Sequence, residues 1–173
     1  LAEIPGGGDL EAVIELIEAA GNILIENQSE NLIVERKGFR DLVTAADHAS
    51  EAFILAGLER LFPADSIMAE ESGEVSTGGD RCWIIDPLDG TTNYSHHHPF
   101  YCVSAGLLAE EGPIAAVTHA PVLGKTWWAI QSGGCWCRDV ASKSQFQVLA
   151  LPIEGLGHGP AGIEPAHGAQ AAH

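Results

Sequence analysis

The sequence predicts an α/β fold, a layered α+β sandwich whose amino-terminal helices pack on a mainly antiparallel sheet. Three observations predict it. Apolar residues recur at helical spacing in two early segments, one continuous apolar run has the look of a strand buried on both faces, and several short strand-like segments follow with Gly/Pro breaks between them.

The first helix is predicted from Asp9 to about Asn27, because Leu10, Val13, Ile14, Ile17 and Leu24 line one stripe and Asp9 can cap the start. A polar stretch, Asn27 to Arg40, follows, with Leu32-Ile33-Val34 as a short strand inside it. The second helix is predicted from Thr44 to Phe62, where Pro63 stops it. Ile67-Met68-Ala69 reads as a strand ending at Glu70-Glu71, and Cys82-Trp83-Ile84-Ile85 as the buried one. An antiparallel meander is then expected over Tyr101 to Ala109, Ile114 to Ala120 and Thr126 to Ile130. Trp127 and Trp128 are expected to pack it, one on each face. Residues 1–148 form one expected domain; from 149 to 173 the chain is rich in Gly, Pro, Ala and His, has no period, and is expected to be disordered.

Composition narrows the function. The chain has 173 residues, 46% of them hydrophobic, enough for one domain with a real core. Its 24 acidic against 8 basic residues leave a formal charge of −16. That argues against nucleic acid, whose phosphates need a basic surface, and against an anionic membrane surface. No apolar run approaches the ~20 residues that span a bilayer. Residues 1–9 lack the basic and apolar regions of a secretory signal. Cys82, Cys102, Cys135 and Cys137 form no Cys-x-x-Cys pair, so free thiols in a reducing, cytoplasmic setting are expected. An anionic substrate would then need a bound cation to reverse the local field.

The chemistry concentrates in Asp86-Pro87-Leu88-Asp89-Gly90-Thr91-Thr92-Asn93, directly after the buried strand. Pro87 favours a sharp turn that would aim Asp86, the Leu88 carbonyl and Asp89 at one place. Gly90 lets the backbone approach an anion, and the Gly90 and Thr91 N–H groups suit phosphate oxygens. A helix starting at Thr91 would add its dipole. Oxygen-only ligands suit Mg²⁺. Two carboxylates about 4 Å apart repel by roughly 4 kcal/mol at an effective dielectric near 20, so a cation is favoured over a bare cluster. Glu70 and Glu71 stand at the end of a strand, and Thr44-x-x-Asp47 reads as a capping-box-like helix start. His96-His97-His98 read as a polar loop, since three adjacent imidazoles do not converge easily on one ion.

The eight-residue string resembles the metal-binding signature of the inositol monophosphatases and their Mg²⁺-dependent, lithium-sensitive sugar-phosphatase relatives. Asp41 to Asp47, Ala69-Glu70-Glu71-Ser72 and Pro99 to Gly106 resemble three further family motifs in the same order, and the resemblance runs from about residue 10 to about 148. It implies a sugar-phosphatase-like fold and hydrolysis of a small phosphomonoester such as inositol monophosphate. By the same resemblance, Glu70, Asp86 and the Leu88 carbonyl would hold a first Mg²⁺, with Glu70 orienting water. Asp86 and Asp89 would serve a second Mg²⁺. Asp89, Gly90 and Thr91 would meet the substrate, and Asp47 would bond the Thr91 hydroxyl. The motif alignment favours Glu70 over Glu71. A bisphosphate nucleotidase, a fructose-bisphosphatase-type relative or a non-catalytic metal- or phosphate-binding fragment are the alternatives. Family members carry a further carboxy-terminal lobe with a Trp-Asp-x-Ala-type motif, which nothing after Val148 resembles. The chain therefore reads either as a fragment or as a complete, degenerate protein, with impaired activity expected in both cases. Oligomeric state is not legible, and a homodimer stays open.

Overall fold

The computed structural model describes residues 3–28, 34–36, 42–75 and 79–148. The Gly/Pro/Ala/His-rich tail and Leu32-Ile33 of the expected short strand lie outside the described residues. Two long helices, α1 (Leu10–Gln28) and α2 (Ala45–Leu61), accompany β1 (Val34–Arg36) and β2 (Leu42–Thr44), which pair as a small antiparallel ribbon. The remaining strands are β3 (Ser66–Ala69), β4 (Gly73–Val75), β5 (Cys82–Asp89), β6 (Cys102–Ala109), β7 (Gly112–Ala120), β8 (Lys125–Ile130), β9 (Gly134–Asp139) and β10 (Gln145–Val148), with a one-turn helix α3 (Thr91–Ser95) after β5. They form one eight-stranded sheet in the order β10-β9-β8-β7-β6-β5-β3-β4. All its pairs are antiparallel except β3 with β5.

Helix α1 forms where the periodicity places it. Val13, Ile14, Ile17, Ala20 and Leu24 are all buried on its inner stripe, and Asp9 accepts the Glu11 N–H at 3.0 Å. The stripe meets β6, β7 and β8, while α2 lies over β5. The facing residues Ile85, Val103, Ala105, Val117 and Trp128 complete the core. Each fully buried Ile or Leu there contributes roughly 1.5–3 kcal/mol of transfer free energy. The opposite face of the sheet presents Met68, Ile84 and Leu108, all exposed.

Helix and sheet approach closely at Gly21. A Cβ there would stand 2.4 Å from His119 Cδ2 and 3.0 Å from its Nε2. The buried ring is held at Nδ1 by Thr126 and the Lys125 carbonyl, so it has little room to give. Gly21→Ala is expected to destabilise the chain by about 1–3 kcal/mol through overpacking, despite alanine's better helix propensity. Urea denaturation measures it; an unchanged or raised midpoint would show that α1 does not press on His119.

Three expectations need correction. The second helix begins at Ala45, because Thr44 closes β2. β5 does not stop at Ile85; it runs through Pro87 to Asp89, so the signature begins inside a strand, not in a turn. The sheet also extends two strands past Ile130, to β9 and β10, beyond Ser132-Gly133-Gly134, which forms a hairpin turn instead of ending the sheet. Trp128 is buried against the helix layer and Trp127 lies on the other face, as strand alternation requires.

Candidate metal centre

Parallel pairing of β3 and β5 builds the site. Ala69 pairs with Ile85, so the next residues, Glu70 just past the end of β3 and Asp86 within β5, stand side by side. Asp89 joins them through a β-bulge. Residues three apart on a regular strand point to opposite faces. Here Asp86 pairs with Ser104 and Asp89 with Cys102, two partners that share one face, and the extra residue between them is absorbed around Pro87. Proline supplies no N–H, so the gap in the ladder falls where no donor is lost.

The charges interact as this geometry requires. The Asp86 carboxyl is pushed up to about 7, first by burial, then by the charge of Glu70, which also lies within hydrogen-bonding reach, and by Asp89. The Leu88 N–H, 3.1 Å from Asp86 Oδ1, pulls the other way. Among the described residues, no three His, Cys, Asp or Glu side chains stand together at metal-ligating distance. Glu70 and Asp86 meet, and Asp89 stands within electrostatic reach of Asp86. Asp89 Oδ2 accepts the Cys102 thiol at 3.7 Å, and burial together with Asp89 pushes that thiol up to about 11. The all-oxygen donor set fits a hard divalent cation, whose charge would relieve the repulsion that raises Asp86.

Gly90 and Thr91 follow at once. Gly90 adopts φ 92° and ψ 35°, and a Cβ there would stand 2.9 Å from the Phe100 carbonyl, so only glycine turns the chain from β5 into α3 without strain. The Thr91 hydroxyl donates to the Leu88 carbonyl at 3.1 Å, which leaves that oxygen one further lone pair. Helix α3 starts at Thr91 but lasts five residues, too short for much of a dipole. Asp47 is buried in the first turn of α2, near enough to Tyr94 to help raise its phenol after burial has done so. His96 to His98 form the exposed turn after α3, with His96 Nδ1 against the Thr92 carbonyl at 2.8 Å.

Two supporting residues escaped the sequence reading. Ser50 Oγ donates to the Pro87 carbonyl at 3.0 Å, and Glu51 Oε2 accepts the Glu71 N–H at 2.8 Å, so consecutive residues of α2 anchor both strand ends. Both are buried, at 0% for Ser50 and 4% for Glu51, and the sequence signal was only their helical spacing with Ala46, Ile54 and Leu58, which names no partner. Beside Asp89 and Gly90 lies a cavity of about 370 Å³ lined in part by Phe100, Tyr101, Thr118 and Trp127.

Comparison with known proteins places this geometry. The family model described as the inositol monophosphatase family matches residues 9–155. The chain is 37% identical over 153 residues to inositol monophosphatase 3 of Solanum lycopersicum, covering 84% of this chain and 57% of that protein. Its fold matches the extragenic suppressor protein SuhB of Bartonella henselae with a TM-score of 0.70 at 32% identity, over 73% of this chain and 50% of that one. A solved IMPase/NADP phosphatase matches with a TM-score of 0.61 at 26% identity, over 69% of this chain and 46% of that one, and is complexed with Mg²⁺ and phosphate. The chain thus spans about half the length of these relatives. The signature string, the paired strand ends and these matches together make the chain a member of the inositol monophosphatase family.

Proposed function

We propose that the chain carries the metal- and phosphate-binding part of a Mg²⁺-dependent phosphomonoesterase acting on inositol phosphates. The observation that carries the reading is the meeting of the Glu70 and Asp86 carboxyls, with Asp89 brought to the same face by the bulge. In this reading Glu70, Asp86, the Leu88 carbonyl and Asp89 hold Mg²⁺. When bound, the metal supplies charge to the phosphoryl oxygens and makes a bound water more acidic. Glu70 orients the attacking water, at the edge of the cluster where β3 ends. Gly90, in its left-handed conformation, and Thr91 offer backbone N–H groups to the phosphate. Asp47 holds a negative charge behind Tyr94 and acts on the site through Thr91.

The test is Mg²⁺-dependent phosphate release from inositol 1-phosphate, run beside calorimetric Mg²⁺ binding. Asp89→Asn is expected to lower both by at least about tenfold, the scale on which metal-site contacts act. Metal-independent turnover, or binding and turnover indifferent to Asp89→Asn, would sink the reading. A solved relative that is named an IMPase/NADP phosphatase supports a second reading, a nucleotide phosphate as substrate, and turnover on a nucleotide 2′- or 3′-phosphate separates the two.

A further inference from the structure

Strand β9 carries Cys135-Trp136-Cys137 on an extended backbone, and alternation turns both thiols to the sheet face away from the helices. The register fixes their surroundings. Cys137 lies between Trp127 on β8 and Phe146 on β10; Cys135 lies between Ala129 and Val148. Cys137 is 2% exposed, whereas Cys135 is half-buried and opens a way in. On the same face, Lys125 pairs with Asp139 at 2.7 Å, and both Cys135 and Lys125 lie within electrostatic reach of Cys137.

Spacing decides what such a pair can do. Two residues along a strand separate the Cα atoms by about 6.5–7 Å, at or past the upper limit for an unstrained disulfide. Both thiols are free. Two metal–sulfur bonds of about 2.3 Å span up to ~4.6 Å between sulfurs, which two side chains on one face reach by rotating toward each other. No third cysteine, histidine or carboxylate joins them among the described residues. A four-coordinate ion such as Zn²⁺ is therefore poorly served, and a soft ion content with two thiolates is favoured.

We propose that Cys135 and Cys137 form a two-coordinate thiolate site for a soft monovalent cation of the Cu(I) type. Binding replaces two S–H bonds by two S–Cu bonds and releases two protons to solvent; no electron moves. The resulting unit carries one negative charge and lies beside the Lys125–Asp139 ion pair. Trp127 and Phe146 flank the buried sulfur from the two neighbouring strands. Because Trp127 also lines the cavity beside Asp89, the ion would sit one strand away from that pocket.

The experiment is anaerobic titration of the full chain with Cu(I) against a chromophoric Cu(I) chelator, followed also by tryptophan fluorescence. One equivalent should be withdrawn from the chelator with quenching. Cys135→Ser should weaken binding at least about a hundredfold, and Cys82→Ser should leave it unchanged. Cys135→Ala, which keeps a small group between Ala129 and Val148, should lose binding equally, with circular dichroism confirming the fold. No withdrawal of Cu(I) by the parent chain, or binding retained by either Cys135 variant, overturns the proposal.

Discussion

Asp86→Asn is expected to remove Mg²⁺ binding and at the same time stabilise the metal-free chain. Both effects come from one cause. The Asp86 carboxyl is crowded by burial, by Glu70 and by Asp89, and only the Leu88 N–H favours its charged form. An uncharged amide ends that repulsion but removes a carboxylate whose charge the proposed Mg²⁺ site needs. The expected loss of affinity is a hundredfold or more, read by calorimetry.

The pH dependence follows in sign. Asp86 titrates near 7 in the fold against 3.8 ordinarily, so the folded state holds its proton more tightly than the unfolded chain. The stabilisation is fully present below about pH 4, declines as pH rises, and is gone above about pH 7. Half-exposure screens the effect, leaving about 1–2 kcal/mol between pH 4 and pH 8. Urea midpoints of the metal-free parent should fall across this window, and those of Asp86→Asn should fall less. Saturating Mg²⁺ should restore the parent at pH 8 and not the variant. Parallel pH profiles for the two proteins would mean that Asp86 is not the strained group.

How much of this was readable beforehand depends on the range of the interaction. Helix α1 was legible because Leu10, Val13, Ile14, Ile17 and Leu24 carry a local period. Asp86 and Asp89 stood out through the eight-residue string, and Glu70 through Ala69-Glu70-Glu71-Ser72. Their arrangement was not. Glu70 meets Asp86 only because β3 and β5 pair in parallel, a contact no local pattern encodes. Asp86 and Asp89 share a face only through the bulge at Pro87, which in sequence looked like the turn that ends a strand. β9 and β10 were missed for a different reason. Cys135-Trp136-Cys137 alternates a small thiol with an aromatic, and Gln145 to Val148 is largely exposed, so neither segment shows an apolar face. Ser50 and Glu51 act through a backbone carbonyl and a backbone N–H of distant segments, partners that side-chain patterns cannot name.

Arg138→Ala is expected to cost more stability than any other single polar change outside the site. Its guanidinium donates to both carboxylate oxygens of Glu11, at 2.6 and 2.7 Å, lies 5.2 Å above the Trp128 ring, and stands 3.9 Å from Glu18. Glu18 in turn accepts the Thr126 hydroxyl at 2.8 Å, and Thr126 meets the buried His119 ring at 3.0 Å. One cation on β9 thus anchors two acids of α1 to the sheet. At 8% exposed, Arg138 is almost wholly removed from water, and truncating it strips Glu11 of its two-bond partner, leaves Glu18 only the exposed Lys143 at 3.9 Å, and uncovers Trp128. Removing one partner of such a pair costs about 3 kcal/mol or more, whereas losing a surface pair costs under about 1 kcal/mol. Arg138→Lys should recover only part, because an ammonium cannot bond both Glu11 oxygens in the fork geometry. A double-mutant cycle with Glu11→Gln isolates the pairwise share. An Arg138→Ala chain within about 0.5 kcal/mol of the parent would show that the apolar stripe alone holds α1 to the sheet.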